Sequence, residues 1–171
     1  GRIGLTDGMI NGEMEVDGED NIIITGGFTS TVNFNPLGDV NSQTSSGSQD
    51  AFIAKYNPQG QLSWLKRIGG MNAEDGTCLD VRNDGAVAFG LRFSGEVDAD
   101  PGEGEMMFNS GGALDGAIIA LDANGDYLFS HQISSPGNDN VTSIKFATDG
   151  KLAVGSLING ATSGFPDRDM Q

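Results

Sequence analysis

No stretch of this chain is long and apolar enough to cross a membrane as a helix. No window carries an apolar stripe at i, i+3, i+4 and i+7, so little or no helix is expected. Basic residues are scarce: 9 Lys and Arg stand against 24 Asp and Glu, a net charge of −15. Phosphate backbones and anionic membranes both need clustered positive charge, so the balance argues against nucleic acid as a partner and disfavours docking on anionic membranes. The one cysteine, Cys78, excludes an intrachain disulfide framework. The one histidine, His131, lacks the companions that a catalytic triad or a zinc site would need.

What the chain has in excess is glycine, 27 residues, and a hydrophobic content of only 37%. That combination fits many short elements joined by tight turns. It also has an internal period. Shifted by 65 places the sequence stays in register with itself: Pro36, Pro101 and Pro166 coincide, as do Ile3, Ile68 and Ile133. Phe28 meets Phe93, Val32 meets Val97, Asp50 meets Asp115 and Gly60 meets Gly125. A period of this size marks a repeat architecture, with units at about 1–65, 66–130 and 131–171, the last incomplete. Arg2–Gly4 recurs 65 places on as Arg67–Gly69, which has the chain opening on the tail of a unit.

Each full unit reads as four strands in two hairpins. The first is Glu13–Val16 in unit one, with Leu79 and Val81 alternating around Asp80 in unit two. Asp17–Asp20, Asn83–Gly85 and Thr148–Gly150 are the turns that follow. The second strand spans Asn21–Phe28, Ala86–Phe93 and Lys151–Ile158. A long Gly/Ser/Asn/Asp-rich connection comes next, with short extra strands expected near Val32–Phe34 and Glu105–Phe108. The third strand is Asp50–Tyr56 and Asp115–Leu121, and the fourth Gln61–Ile68 and Asp126–Ile133. The second and third strands are apolar on both faces, as in sheets covered on both sides. The expected fold is therefore all-β, a β-propeller-like array of four-stranded antiparallel blades.

The segment Asp50–Gly70 (DAFIAKYNPQGQLSWLKRIGG), with the Asp-Gly turn and apolar strand beyond it, resembles the bacterial SBBP-type seven-bladed propeller repeat. The shared core falls on Asp50, Phe52, Lys55, Gly60 and Trp64. The second copy keeps Asp115 and Gly125, with Phe129 for the tryptophan, and departs at Ala117 and Ala120. The resemblance implies a secreted or cell-surface bacterial protein, of the kind exported by type 9 secretion in Bacteroidota-like organisms. It brings no activity. At 65 residues a unit the chain makes fewer blades than a closed propeller uses, so the expected partners are further blades, from a longer chain or from copies of itself. A surface protein or glycan is a further expected partner.

Asp98, Asp100, Glu103 and Glu105 crowd one Gly-rich loop, a donor type suited to calcium. The equivalent positions Asn33, Asn35, Gly38 and Val40, and Ser163 and Phe165 in the third unit, do not keep those acids, which favours a solvated acidic loop. Asp122–Asp126 (DANGD) reads as a hairpin turn rather than a calcium loop. His131 reads as an exposed strand residue, Cys78 as an incidental small one, and Trp64 as core or inter-blade packing. No residue is assigned as catalytic and no cofactor is expected. The functional expectation is a non-catalytic extracellular module for binding, adhesion or assembly. A propeller enzyme (lyase, hydrolase or quinone-dependent dehydrogenase) and a structural fibre subunit are the alternatives.

Overall fold

The computed structural model describes residues 9–160, in which every regular element is a strand. The match at Arg2–Gly4, and Ile3, Ser163, Phe165 and Pro166, lie outside the described residues. The first unit contributes β1 (Met9–Val16), β2 (Ile22–Phe28), β3 (Thr31–Asn33), β4 (Ser42–Thr44), β5 (Asp50–Tyr56) and β6 (Leu62–Ile68). The second repeats the order with β7 (Glu74–Val81), β8 (Val87–Phe93), β9 (Glu96–Asp98), β10 (Met107–Asn109), β11 (Asp115–Leu121) and β12 (Tyr127–Ile133). The third has β13 (Asn140–Phe146) and β14 (Leu152–Leu157).

Pairing is antiparallel throughout these sheets. Strands β1-β2-β5-β6 form one four-stranded sheet and β7-β8-β11-β12 another, while β13-β14, β3-β4 and β9-β10 are two-stranded. Equivalent registers recur 65 residues apart: Phe28 faces Asp50 and Ile22 faces Tyr56, as Phe93 faces Asp115 and Val87 faces Leu121. The irregularities recur too. Ser63 and Leu128 are extra residues in the two fourth strands, and Thr77 and Thr142 in two of the first strands.

The connections of residues 29–49 and 94–114 each fold into a hairpin, β3-β4 and β9-β10. The sequence placed strands here at Val32–Phe34 and Glu105–Phe108; the observed pairs are Thr31–Asn33 with Ser42–Thr44, and Glu96–Asp98 with Met107–Asn109. The first hairpin closes over its sheet. Phe34 lies edge-on to Phe28 at 5.2 Å and tilted on Phe52 at 5.0 Å, and its carbonyl accepts the Tyr56 hydroxyl at 2.7 Å.

The sheets stack face to face. Every residue of β5 and of β11 is buried. One apolar cluster joins Ile23, Ile53 and Ile68 of the first sheet to Val87, Phe89, Leu91, Phe93, Ile119 and Leu121 of the second. Another joins Cys78, Ala88, Ile118 and Ala120 of the second sheet to Val141 and Ile144 of the third. Where no sheet precedes among the described residues, the first strand of the equivalent face stays open: Met14 is 64% exposed, whereas its counterpart Leu79 is 2% exposed.

Turns between strands use a left-handed residue at fixed places. Gly85 and Gly150 have φ of 85° and 84°, and Gly95 has 71°. The first unit puts Asp20 (62°) and Ser30 (64°) at those two positions, where a Cβ is strained. Ser30→Gly, which restores the residue used at the equivalent Gly95, is expected to stabilise the chain by roughly 0.5–1 kcal/mol. A urea unfolding midpoint that falls on this substitution would contradict the assignment.

Candidate functional site

The first strands of the three units converge. Glu13 of β1 accepts the Leu79 amide of β7 at 3.0 Å, and Asp80 of β7 accepts the Phe146 amide of β13 at 2.6 Å. Thr77 donates to the Val141 carbonyl at 2.7 Å. Lys145 of the third unit pairs with Asp80 and also reaches Glu15 of the first unit at 3.6 Å. Three successive units thus meet around one point.

A cavity of about 400 Å³ opens there, lined by Gly12, Thr77 and Thr142, which are the same repeat position three times, and by Glu13, Asp75 and Arg92. Arg92 pairs with Asp75 at 3.3 Å. Burial still pushes the Asp75 carboxyl up, and the Arg92 charge opposes that shift. The lining offers hydroxyls, a guanidinium and carboxylates, which suits hydrogen-bonded recognition of a small polar group. Two further cavities lie between successive turns at one rim. The one between the first and second units, about 310 Å³, holds Asp17, Lys55 and Asp84; the one between the second and third, about 510 Å³, holds Arg82, Phe146 and Asp149.

Lys55, the lysine of the repeat motif, pairs with Asp17 at 3.0 Å. Burial works against the charged Asp17, but hydrogen bonds from the Asn21 and Lys55 side chains and from the Asn21 and Glu19 amides outweigh it, bringing its pKa down to about 2. Arg82 lies over the Phe146 ring at 5.5 Å and is held by Asp84 through two contacts of 2.8 and 2.7 Å.

Buried acids tie loops to the strands beside them. Asp50 accepts the Ser46 amide at 2.9 Å and Arg67 at 2.6 Å; its counterpart Asp115 accepts the Gly111 amide at 3.0 Å and Gln132 at 2.8 Å. Glu74 is fully buried; one of its oxygens takes the Gly70 amide at 2.7 Å and the other has no partner. Burial, helped by the nearby Asp50 charge and opposed by the Gly70 bond, raises its pKa to about 7.

Of the four acids singled out as calcium donors, Asp98 and Asp100 serve the loop itself. Asp98 accepts the Asp100 and Met106 amides at 3.0 and 2.8 Å, and Asp100 accepts the Gly102 amide at 2.7 Å. Glu103 and Glu105 are exposed. Asn33 does the work of Asp98 in the first unit, accepting the Asn35 and Asn41 amides, both at 3.0 Å. Among the described residues no group of three or more His, Cys, Asp or Glu is placed to hold a metal ion. Asp122 accepts the Asn124 and Asp126 amides at 2.8 and 2.9 Å, so that segment is a hairpin turn. His131 is exposed on β12, and Cys78 is buried between sheets, where burial pushes its thiol pKa up. Trp64 crosses to the second unit: its indole NH donates to Ala123 at 3.1 Å, and its ring abuts Gly125. The convergence cavity itself was not foreseen. Its signal was the triple coincidence of Gly12, Thr77 and Thr142 in the 65-residue register.

Among known proteins, no family model matches the chain. It is similar to the Regulatory protein FlaEY of Caulobacter vibrioides, 27% identical over 117 residues that cover 68% of this chain. The chain spans 12% of that protein's length.

The buried Glu74 sets a pH dependence. Its folded pKa of about 7 lies above the ordinary 4.5, so the folded chain holds a proton that the unfolded chain gives up first. The stability from this group is fully present below pH 4.5 and is lost as the pH rises through 7. The expected loss is of the order of 3 kcal/mol, and Glu74→Gln should flatten that slope. Urea titrations at pH 5 and pH 8 read the difference; equal slopes for both proteins would refute it. Removing the anchor carboxylate by Asp50→Ala leaves the Ser46 and Gly47 amides without this acceptor and Arg67 without its counter-charge, and should cost about 3 kcal/mol. A melting temperature unchanged by that substitution would refute the anchoring role.

Proposed function

We propose that these units are blades of a β-propeller and that the protein is a non-catalytic binding module on a bacterial surface, serving adhesion or assembly. The observation that carries the reading is the meeting of three first strands at one point, where Lys145 touches Glu15 across the intervening unit. Sheets that stacked in a straight row would separate their first and third members. A convergent inner edge is what blades around an axis require.

Binding is favoured over catalysis by how the polar groups at the axis are used. Thr77 and Thr142 donate to main-chain carbonyls, and Glu13 accepts a main-chain amide. These groups hold strands in place, and what remains at the mouth is a polar recognition surface. The name of the FlaEY protein speaks of regulation rather than of a reaction, which sits with a binding role. Location at the cell surface, and export of the type 9 kind, rest on the resemblance to the SBBP-type repeat.

Electron microscopy of the natural full-length protein is expected to show a ring-shaped particle with a central depression. A rod or a fibre would overturn the propeller reading and favour the structural one. Antibody raised to this chain is expected to label intact cells of the source organism; labelling only after permeabilisation would overturn the surface assignment.

A further inference from the structure

Among the described residues, five buried side-chain oxygens have no partner, on Glu74, Asp75, Asp115, Asp139 and Asn140. They fall on only three repeat positions: Glu74 and Asp139 stand 65 residues apart, as do Asp75 and Asn140, and Asp115 is the counterpart of Asp50. All lie where one unit passes to the next, and what recurs there is a pair of acids. Gln49 with Ala73, and Leu114 with Asn138, form isolated parallel bridges. Asp50 with Glu74, and Asp115 with Asp139, come directly after these bridges, so each pair stands side by side on one face. The Glu74 amide donates to the Gln49 carbonyl at 3.0 Å and the Asp139 amide to the Leu114 carbonyl at 2.8 Å, which fixes both pairs alike.

The two junctions balance their acids differently. In the first, Arg67 stands on Asp50 at 2.6 Å, both Asp50 oxygens are occupied, and Glu74 keeps its proton up to a pH of about 7. In the second, every partner of the pair is uncharged. Asp115 has the Gly111 amide and Gln132, and Asp139 has the Ser135 hydroxyl at 2.8 Å and the Asn159 amide at 3.0 Å. Asp115 is fully buried and Asp139 is 1% exposed, and each keeps one oxygen without a partner, Oδ1 and Oδ2 respectively. Two buried like charges without a counter-charge are costly. The exchanges around them run one way: Arg67, Gly69 and Gly70 become Gln132, Ser134 and Ser135, so one cation is lost and three side-chain oxygens are gained. A Cβ at Gly69 would lie 2.1 Å from the Asp50 carboxylate, so Ser134 occupies the place that faces the acid. The counterparts of all these residues are described, so the lost charge is written in the sequence.

We propose that the junction of the second and third units binds one calcium ion, held between Asp115 Oδ1 of the second unit and Asp139 Oδ2 of the third. The two carboxylates bring two negative charges, and a divalent ion cancels both. Calcium accepts a loose shell of six to eight carboxylate, hydroxyl, carbonyl and water oxygens, so two acids and uncharged oxygens suffice and no third acid is required. Magnesium gives up its water reluctantly and suits a buried pair less. With only two charged ligands the affinity falls at the weak end of calcium sites, a Kd of about 0.1–1 mM. The ion ties two units together where the first junction uses Arg67. It is not the acidic loop of Asp98, Asp100, Glu103 and Glu105, where Asp98 and Asp100 hold main-chain amides. The inference needs the stacked junction and neither a closed ring nor a surface location, so its failure and theirs are separable.

The test is thermal unfolding of the 171-residue chain, stripped with chelator and titrated with calcium chloride at constant ionic strength. The melting temperature is expected to rise and saturate, by about 3–6 °C at calcium roughly tenfold above Kd, and magnesium chloride is expected to give a smaller rise. Asp139→Asn removes one of the two charges and should abolish the response. Gln132→Arg puts back the guanidinium found at Arg67; this variant should fold, melt above the calcium-free parent and ignore calcium. Asp98→Asn should leave the response intact. A parent chain indifferent to calcium would overturn the proposal, and so would a full response surviving in Gln132→Arg. Loss of the response in Asp98→Asn, with retention in Asp139→Asn, would overturn it in favour of the acidic loop.

Discussion

The structure depends on a sheet that has no solvent side. Strands β5 and β11 are buried along their whole length, on both faces. An antiparallel sheet normally keeps one face wet, and a single hairpin or lone sheet of this composition would expose more apolar surface than a soluble chain tolerates. Each sheet therefore needs a cover on either face, from a neighbouring sheet or from a hairpin of its own unit. Two shared clusters are the consequence, each with residues from two successive units, while on the outer face of the first sheet the β3-β4 hairpin of the same unit supplies the cover. Truncating one of these residues, Ile119 for example, removes contacts from two sheets at once, on the scale of roughly 2–5 kcal/mol for a large aliphatic core residue.

Where the second unit departs from the repeat motif, it does so in pairs that touch. Lys55 binds Asp17 in the first unit; in the second Ala120 and Arg82 occupy those positions, and Arg82 turns instead to Asp84 and the Phe146 ring. Phe34 and Phe52 pack on one another, and both are alanine in the second unit, as Ala99 and Ala117. The smaller pair lies where another sheet leans in, and the larger where the β3-β4 hairpin is the cover. Arg67 on Asp50 becomes Gln132 on Asp115, keeping a donor to the buried carboxylate. The motif letters that drift are thus sites of exchange between neighbours rather than points of decay.

This explains which features the sequence made legible. Asp50–Tyr56 and Asp115–Leu121 could be placed to the residue because continuous apolar runs between an aspartate and a turn leave little freedom. The first strands begin earlier than their alternation suggested, at Met9, Glu74 and Asn140. The extra residues Thr77 and Thr142 break the two-residue period, so residues upstream of them fall out of phase. Ser42–Thr44 was invisible because a polar strand over a sheet carries no apolar pattern. The convergence of the first strands was beyond reach for a different reason. A period shows that units are alike, but the angle between them is set by contacts such as Glu13 to Leu79, whose partners stand 66 residues apart.

The acidic composition also takes on a different meaning. A charge of −15 invites a reading as solubility or as cation binding. Yet Glu13, Asp17, Asp50, Glu74, Asp80, Asp98, Asp100, Asp115, Asp122 and Asp139 each accept at least one main-chain amide in the fold. A chain of short strands and tight turns leaves many amides outside its ladders, and a short acceptor side chain is the nearest remedy. Asn33 and Asn57 do the same without a charge, so the geometry asks for an oxygen, and the charge adds strength to the bond. These ten carboxylates are then accounted for by the backbone they hold.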